Sequence, residues 1–114
     1  AKRREIEAWR TEQEAQPFIF EWNGHSWNGG PDSMARLYPV VISAKSVTAR
    51  KNMVWGDAEN QQVKLSMQQL DELLTAMVQA QVDRNDEIYQ RQREMKEELN
   101  SLEDLNSVRN FIVE

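Results

Sequence analysis

Cysteine is absent from this 114-residue sequence, and histidine occurs once. Without cysteine there are no disulfide bridges, no thiolate nucleophile and none of the common cysteine-containing zinc sites. The single histidine, His25, has no second histidine with which to form a metal-binding pair. We therefore expect the fold to rest on packing alone, and the sequence predicts no metal site and no cofactor.

Long hydrophobic runs are missing as well. No window approaches the roughly 18 apolar residues that a membrane-spanning helix needs, and the N-terminus lacks the apolar core of a signal peptide. The net charge is -5 and the pI is near 5.0, and the basic run 2–4 is offset by Glu5 and Glu7. We therefore expect a soluble protein of a reducing compartment that binds neither membranes nor nucleic acids.

What the sequence does contain is a succession of helix and hairpin signals compatible with one domain over residues 1–114. The fold class predicted is mainly α with one or two short β-hairpins, an α+β arrangement that ends in a long C-terminal helix. The predicted elements are a helix over 2–16, a hairpin over 18–28, a kinked helix over 33–48, a short hairpin over 52–65, a long helix over 67–99 and a short helix over 105–112.

The first hairpin is predicted from its turn. Asn23-Gly24 is the dipeptide that most readily adopts positive φ at both central turn positions, and aromatic residues flank it on both sides. Strand alternation should place Phe18, Phe20 and Trp22 on one face, with Ile19 on the other.

The helix over 33–48 is predicted from an apolar stripe. Its residues recur at helical spacing and should face the core, although Pro39 lies inside the pattern and predicts a kink or a break near Leu37 or Tyr38. The stripe consists of Met34, Leu37, Tyr38, Val41 and Ile42.

The long helix should begin after Ser66, which forms a capping box with Gln69. Its second half has few apolar residues, and a helix of this length exceeds the width of a compact domain of this size. Residues spaced seven apart form a weak heptad series, so this half either forms a coiled coil or folds back on its own domain. The series is Leu74, Gln81, Ile88 and Met95.

No set of residues has the composition of an active site. His25 is expected to be an exposed turn residue, and Asp57, Glu59 and Asn60 lack the twelve-residue pattern of a calcium loop. The carboxylates between residues 83 and 98 have the spacing of local ion pairs on a solvated helix. We therefore predict no catalytic residues and a protein that is not an enzyme.

Four tryptophans and the apolar residues of the second half of the long helix are the candidates for contacts with another protein. Aromatic residues are enriched in binding hot spots, but in a small domain they also serve as core residues that join short sheets to helices. The partner-binding residues predicted are Trp22, Trp27, Ile88, Tyr89, Met95 and Leu99.

The order of these motifs resembles an uncharacterised domain family found in tail-fibre and tail-fibre-assembly proteins of tailed bacteriophages and prophages. The likeness runs from about Arg4 to Phe111. It rests on a helix with Arg4, Ile6 and Arg10, the hairpin Phe20-Glu21-Trp22-Asn23-Gly24-His25-Ser26-Trp27, Asp32-Ser33 before Arg36 and Leu37, Trp55-Gly56-Asp57-Ala58-Glu59-Asn60, and Val63-Lys64-Leu65-Ser66 before Leu70.

The resemblance implies a non-enzymatic accessory or assembly protein of the tail fibre, chaperone-like in action, which binds a tail-fibre protein or a second copy of itself. It implies a location in the host cytoplasm or in the tail of the virion. Two other functions remain open at this point. One is a structural module that oligomerises within a tail fibre, and the other is a small acidic inhibitor directed at a host protein.

Overall fold

The computed structural model describes residues 1–46 and 52–114, and it confirms the α+β class with a long C-terminal helix. The chain divides into two compact units, which we call unit 1 (residues 1–15 and 83–114) and unit 2 (residues 16–82). The single domain over 1–114 stays a prediction. The elements are α1 (Lys2–Ala15), β1 (Phe18–Trp22), β2 (His25–Gly29), α2 (Pro31–Ser46), β3 (Asn52–Gly56), β4 (Gln62–Ser66), α3 (Met67–Asn100) and α4 (Leu105–Arg109).

The first hairpin of unit 2 pairs β1 with β2 in antiparallel register, with Phe20 opposite Trp27. Its turn has φ of 52° at Asn23 and 77° at Gly24, which confirms the predicted two-residue turn with positive φ at both positions. Ile19 lies on the outer face, while Phe20 and Trp22 pack against the core of unit 2. The strand alternation predicted from the sequence is therefore confirmed.

The second hairpin pairs β3 with β4, and Trp55 lies opposite Val63. Its turn is held by Asp57, whose Oδ1 accepts the backbone amides of Glu59 and Gln61 at 2.9 and 2.8 Å. The amide of Ala58 donates to the Ser26 carbonyl oxygen at 2.8 Å. The two hairpins are consequently joined through this turn.

Helix α2 places only part of its predicted stripe in the core. Leu37 and Val41 are fully buried, whereas Tyr38 and Ile42 are 57% and 47% exposed. The core therefore takes this i, i+4 pair, with the half-buried Met34 packed against it, and the prediction that Tyr38 and Ile42 face the core is wrong. The helix runs through Pro39 without interruption. The predicted last residues of this helix, 47 and 48, lie outside the described residues.

The core of unit 2 is completed by the first half of α3, which begins at the predicted capping box. The Ser66 amide donates to Gln69 Oε1 at 2.9 Å, and the Gln69 amide donates to Ser66 Oγ at 3.1 Å. The buried residues of this core are Trp27, Leu37, Val41, Leu65, Leu70, Leu73 and Met77.

In unit 1 the second half of α3 pairs with α1. Arg3 donates to Asn100 Oδ1 at 2.9 Å, and Arg10 donates to Gln92 Oε1 at 2.8 Å. Arg3 precedes Arg10 in α1, whereas the residue bound by Arg3 follows the residue bound by Arg10 in α3. The two helices therefore run antiparallel. This half of the helix therefore folds back onto another helix of the same chain, which is one of the two arrangements predicted for it.

The C-terminal residues cover one end of this helix pair. Asp104 caps α4, and its carboxylate accepts the Ser107 amide at 2.7 Å. The helix ends at Arg109, before the predicted residue 112, and Phe111 packs against the core beyond the helix end. The buried members of this core are Ile6, Met95 and Leu99.

Candidate functional site

Unit 2 presents an apolar surface on the solvent-facing side of α2. Ala35, Tyr38, Pro39 and Ile42 are all exposed and follow one another at i, i+3, i+4 and i+7. Residues at this spacing are neighbours on one side of a helix. We call these four residues the α2 outer face.

Pro39 gives the α2 outer face a polar feature as well. A proline within a helix has no amide hydrogen, so the carbonyl four residues earlier loses its helical donor. Here that carbonyl belongs to Ala35, which lies on the same exposed side of the helix. The face thus combines apolar side chains, the Tyr38 ring and a backbone acceptor.

Next to α2, unit 2 contains a shallow cleft of about 230 Å³. We call it the Arg36 cleft, because Arg36 is the only charged residue among the described residues that line it. Its other walls come from the end of β2, the first turn of α2 and the end of β3. The lining residues are Asn28, Ser33, Arg36, Trp55 and Gly56.

A histidine and a carboxylate pair within unit 2. His25 Nδ1 lies 3.1 Å from Asp57 Oδ2, and the Asp57 side chain is 2% exposed. The amide hydrogen bond from Gln61 holds the pKa of the Asp57 carboxyl below its ordinary value, with further lowering by His25 and the Glu59 amide, against the opposing effect of burial. Asp57 is thus kept charged while it joins the second turn to the first hairpin.

This pair is arranged as a structural link between the two hairpins. The His25 ring centroid lies 5.8 Å from that of Trp27, while the nearby hydroxyl of Ser26 donates to Glu21 and not to His25. The sequence prediction of an exposed turn residue is wrong for His25, which is half-buried. The sequence feature that could have indicated a structural role for Asp57 is the Gly56-Asp57 turn, because an aspartate in a turn commonly accepts a backbone amide two residues ahead.

Two predicted partner-binding residues, Trp22 and Trp27, face the interior of unit 2. Trp27 is 1% exposed, and its indole Nε1 donates to the Trp22 carbonyl oxygen at 2.8 Å. The two ring systems are 5.9 Å apart, and Trp22 is half-buried against the core. Both therefore act as core residues that join the first hairpin to the helices, which the sequence already offered as the alternative.

The predicted partner-binding residues of the long helix are mostly covered within unit 1. Ile88, Met95 and Leu99 are 6%, 0% and 9% exposed. Met95 and Leu99 lie in the core that they form with Ile6 of α1 and with the C-terminal residues. In this fold they are not available to a partner. Tyr89 is 44% exposed, and Arg10 lies 5.2 Å from its ring centroid in a cation-π contact.

No cluster of three or more metal-ligating side chains occurs in the described part of the chain. The carboxylates of the second half of α3 form surface pairs, such as Arg91 with Glu94 at 3.3 Å and Glu98 at 3.5 Å.

Within residues 1–46 and 52–114, none of the helices is long and apolar enough to cross a membrane.

Comparison with known proteins places the chain in a family but does not assign it an activity. None of the curated proteins matches it, and no solved structure does. One family model matches residues 1–112, nearly the whole chain. The chain therefore belongs to the family described as Domain of unknown function (DUF4376).

Proposed function

We propose that this chain is a non-enzymatic protein-binding module that acts as an accessory or assembly protein of a phage tail fibre. The observation that supports protein binding is the α2 outer face. It groups exposed apolar side chains on the solvent side of a helix whose opposite side, at Leu37 and Val41, is fully buried. The tail fibre is proposed as the partner because the sequence motifs of the chain resemble those of tail-fibre and tail-fibre-assembly proteins.

A helix face of this composition suits a protein partner. Fully burying one isoleucine side chain gains roughly 1.5–3 kcal/mol, and tyrosine is among the residues enriched in binding hot spots. Tyr38 and Ile42 are one helical turn apart, so a single apolar surface of a partner can cover both. The partner proposed is the tail-fibre protein, which the chain would meet in the host cytoplasm and could accompany into the virion tail.

The test is calorimetric titration of the chain with the purified C-terminal region of a tail-fibre protein from the same genome. The double variant Tyr38→Glu with Ile42→Glu should weaken binding at least about a hundredfold, because two charged groups would have to be buried against the partner. Its melting temperature should equal that of the original chain, since both side chains are exposed.

A matched control is available on α3. Val78 and Val82 are 44% and 46% exposed and have the same i, i+4 spacing in the same unit. The double variant Val78→Glu with Val82→Glu should bind like the original chain. The proposal fails if the original chain does not bind the fibre region, or if the α2 variant binds as tightly as the control variant.

A further inference from the structure

We propose that the Arg36 cleft receives a single carboxylate side chain, aspartate or glutamate, from the protein segment that binds the α2 outer face. This inference rests on the proposed function, because it names the chemistry of the same partner.

Arg36 has no neutralising carboxylate partner among the residues that the structure describes. Arg36 Nε donates a long hydrogen bond, 3.4 Å, to the Asp32 carbonyl oxygen. No carboxylate of the described residues lies within 4.0 Å of its guanidinium group. Arg91, by contrast, pairs with carboxylates of its own helix. The terminal nitrogens of Arg36 are therefore available to an acceptor from outside.

The remaining lining suits a carboxylate on a short apolar stem. A guanidinium group can bind both oxygens of a carboxylate at once, and such charge-assisted bonds are roughly twice as strong as neutral ones. Asn28 and Ser33 supply side-chain amide and hydroxyl donors on the same cleft. The indole of Trp55 and the bare backbone of Gly56 offer a surface for methylene groups.

The volume of the cleft limits what it can hold. Pockets for small-molecule ligands usually measure about 300–1,000 Å³, and this cleft measures about 230 Å³. That space suits one amino-acid side chain and lies below the usual range for small-molecule pockets. A residue presented by a partner protein is thus a better match than a free ligand of ordinary size.

The charge distribution of the chain permits an acidic partner at this place. Unit 1 contains nine Lys and Arg against thirteen Asp and Glu, whereas unit 2 contains five against six. The negative charge of the protein is therefore carried mainly by unit 1, and unit 2 is close to neutral. An acidic segment that approaches Arg36 meets little opposing charge from unit 2.

The cleft is also continuous with the α2 outer face. Arg36 follows Ala35 directly and precedes Pro39 by three residues, so it lies at the border of that face. One partner segment can then place apolar residues on Tyr38 and Ile42 and an acidic residue against Arg36. Specificity would come from the carboxylate, because an apolar helix face alone discriminates poorly.

The experiment is an NMR titration that follows the side-chain N–H signals of Arg36 and Trp55. The probes are the blocked peptides acetyl-Leu-Glu-Leu-amide and acetyl-Leu-Gln-Leu-amide, and inorganic phosphate at the same ionic strength. The glutamate peptide should shift both signals and should bind about tenfold more tightly than the glutamine peptide, a difference of about 1.4 kcal/mol. Phosphate should shift them less than the glutamate peptide does.

Arg36→Gln should remove the difference between the two peptides, and its backbone amide spectrum should report an unchanged fold. Arg93→Gln changes the charge equally at another exposed helical arginine and should retain the difference. Equal binding of the two peptides overturns the inference, as does a phosphate response as large as that of the glutamate peptide. If Arg36→Gln leaves fibre binding intact while the Tyr38 and Ile42 variant loses it, this inference fails and the proposed function stands.

Discussion

At the scale of single residues, Asp57 shows how one buried carboxylate organises the two hairpins of unit 2. It accepts two amides of its own turn and faces His25 of the first hairpin. A buried charge is tolerated only when hydrogen bonds replace its lost water. Three such bonds meet that requirement and lower the pKa of the Asp57 carboxyl.

Replacing Asp57 with Asn should lower the melting temperature in a pH-dependent way. Because its folded pKa lies below its unfolded value, near 3.8, the carboxylate stabilises the fold above that pH. This contribution is lost as the pH falls through the folded pKa. The gap in melting temperature between the two proteins should therefore be largest near neutral pH, should begin to narrow near pH 3.8 and should close once the pH lies below the folded pKa.

Thermal unfolding followed by circular dichroism between pH 7 and pH 2.5 measures this gap. Glu59→Gln is the control, because Glu59 is an exposed carboxylate of the same turn. A gap of constant size across the whole range would show that the charge of Asp57 does not stabilise the fold.

Gly30 is a second residue whose identity is fixed by its surroundings. Its φ is +110°, and an added Cβ would lie 3.0 Å from Pro17 Cα and 3.1 Å from the Gln16 carbonyl oxygen. Gly30→Ala should therefore lower the free energy of unfolding by about 1–3 kcal/mol. Gly56→Ala is the comparison, because none of the described residues has an atom within 4 Å of the carbon that it adds. Urea titrations of both variants measure the two free energies of unfolding. Equal values would contradict the claim that position 30 requires glycine.

At the scale of elements, helix α2 shows what periodicity could and could not predict. The stripe from Met34 to Ile42 correctly indicated a helix with an apolar side. It spans more of the helix surface than the hairpins and α3 cover, and sequence spacing carries no information about that width. Tyr38 and Ile42 were therefore assigned to the core, although the structure leaves them at the surface.

In the second half of α3, sequence periodicity likewise indicated an apolar seam but not the helix that pairs with it. The heptad residues Ile88 and Met95 indicated a seam, and the structure buries both. The partner helix could not be deduced, because α1 is more than seventy residues away and has only a narrow apolar stripe around Ile6 and Trp9. The turn at Asn23-Gly24 and the cap at Ser66 were predictable because their signals are local.

The pairing of α1 with α3 makes Ile6 a critical residue of unit 1. Its side chain is 0% exposed in the core that it shares with Met95 and Leu99. Ile6→Ala should lower the free energy of unfolding by about 2–5 kcal/mol, because it leaves a cavity in a covered core. The matched control is Ile112→Ala, in the same unit, where the side chain is 68% exposed.

Chemical denaturation of both variants tests this pairing. The control should stay within about 0.5 kcal/mol of the original chain. Similar free energies of unfolding for the two variants would mean that Ile6 is not a core residue and that α1 does not pack on α3 as described.

At the scale of the whole molecule, the two units differ in charge and in the surface that they offer. Unit 1 carries most of the negative charge, and the part of α3 that it contains is already paired with α1. Unit 2 is nearly neutral and contains the α2 outer face and the Arg36 cleft. We therefore propose that partner binding takes place on unit 2, although four of the six residues predicted from the sequence lie in the second half of the long helix.

The most direct test of binding at the α2 outer face is a methyl NMR spectrum of the isoleucine-labelled chain, recorded with and without the C-terminal region of the fibre protein. The five isoleucines report on separate places, and three of them are exposed: Ile19 at 63%, Ile42 at 47% and Ile112 at 68%. Binding at the α2 outer face should shift or broaden the Ile42 methyl signal and leave those of Ile19 and Ile112 in place. Changes at Ile19 or Ile112 with an unaltered Ile42 signal would contradict the account.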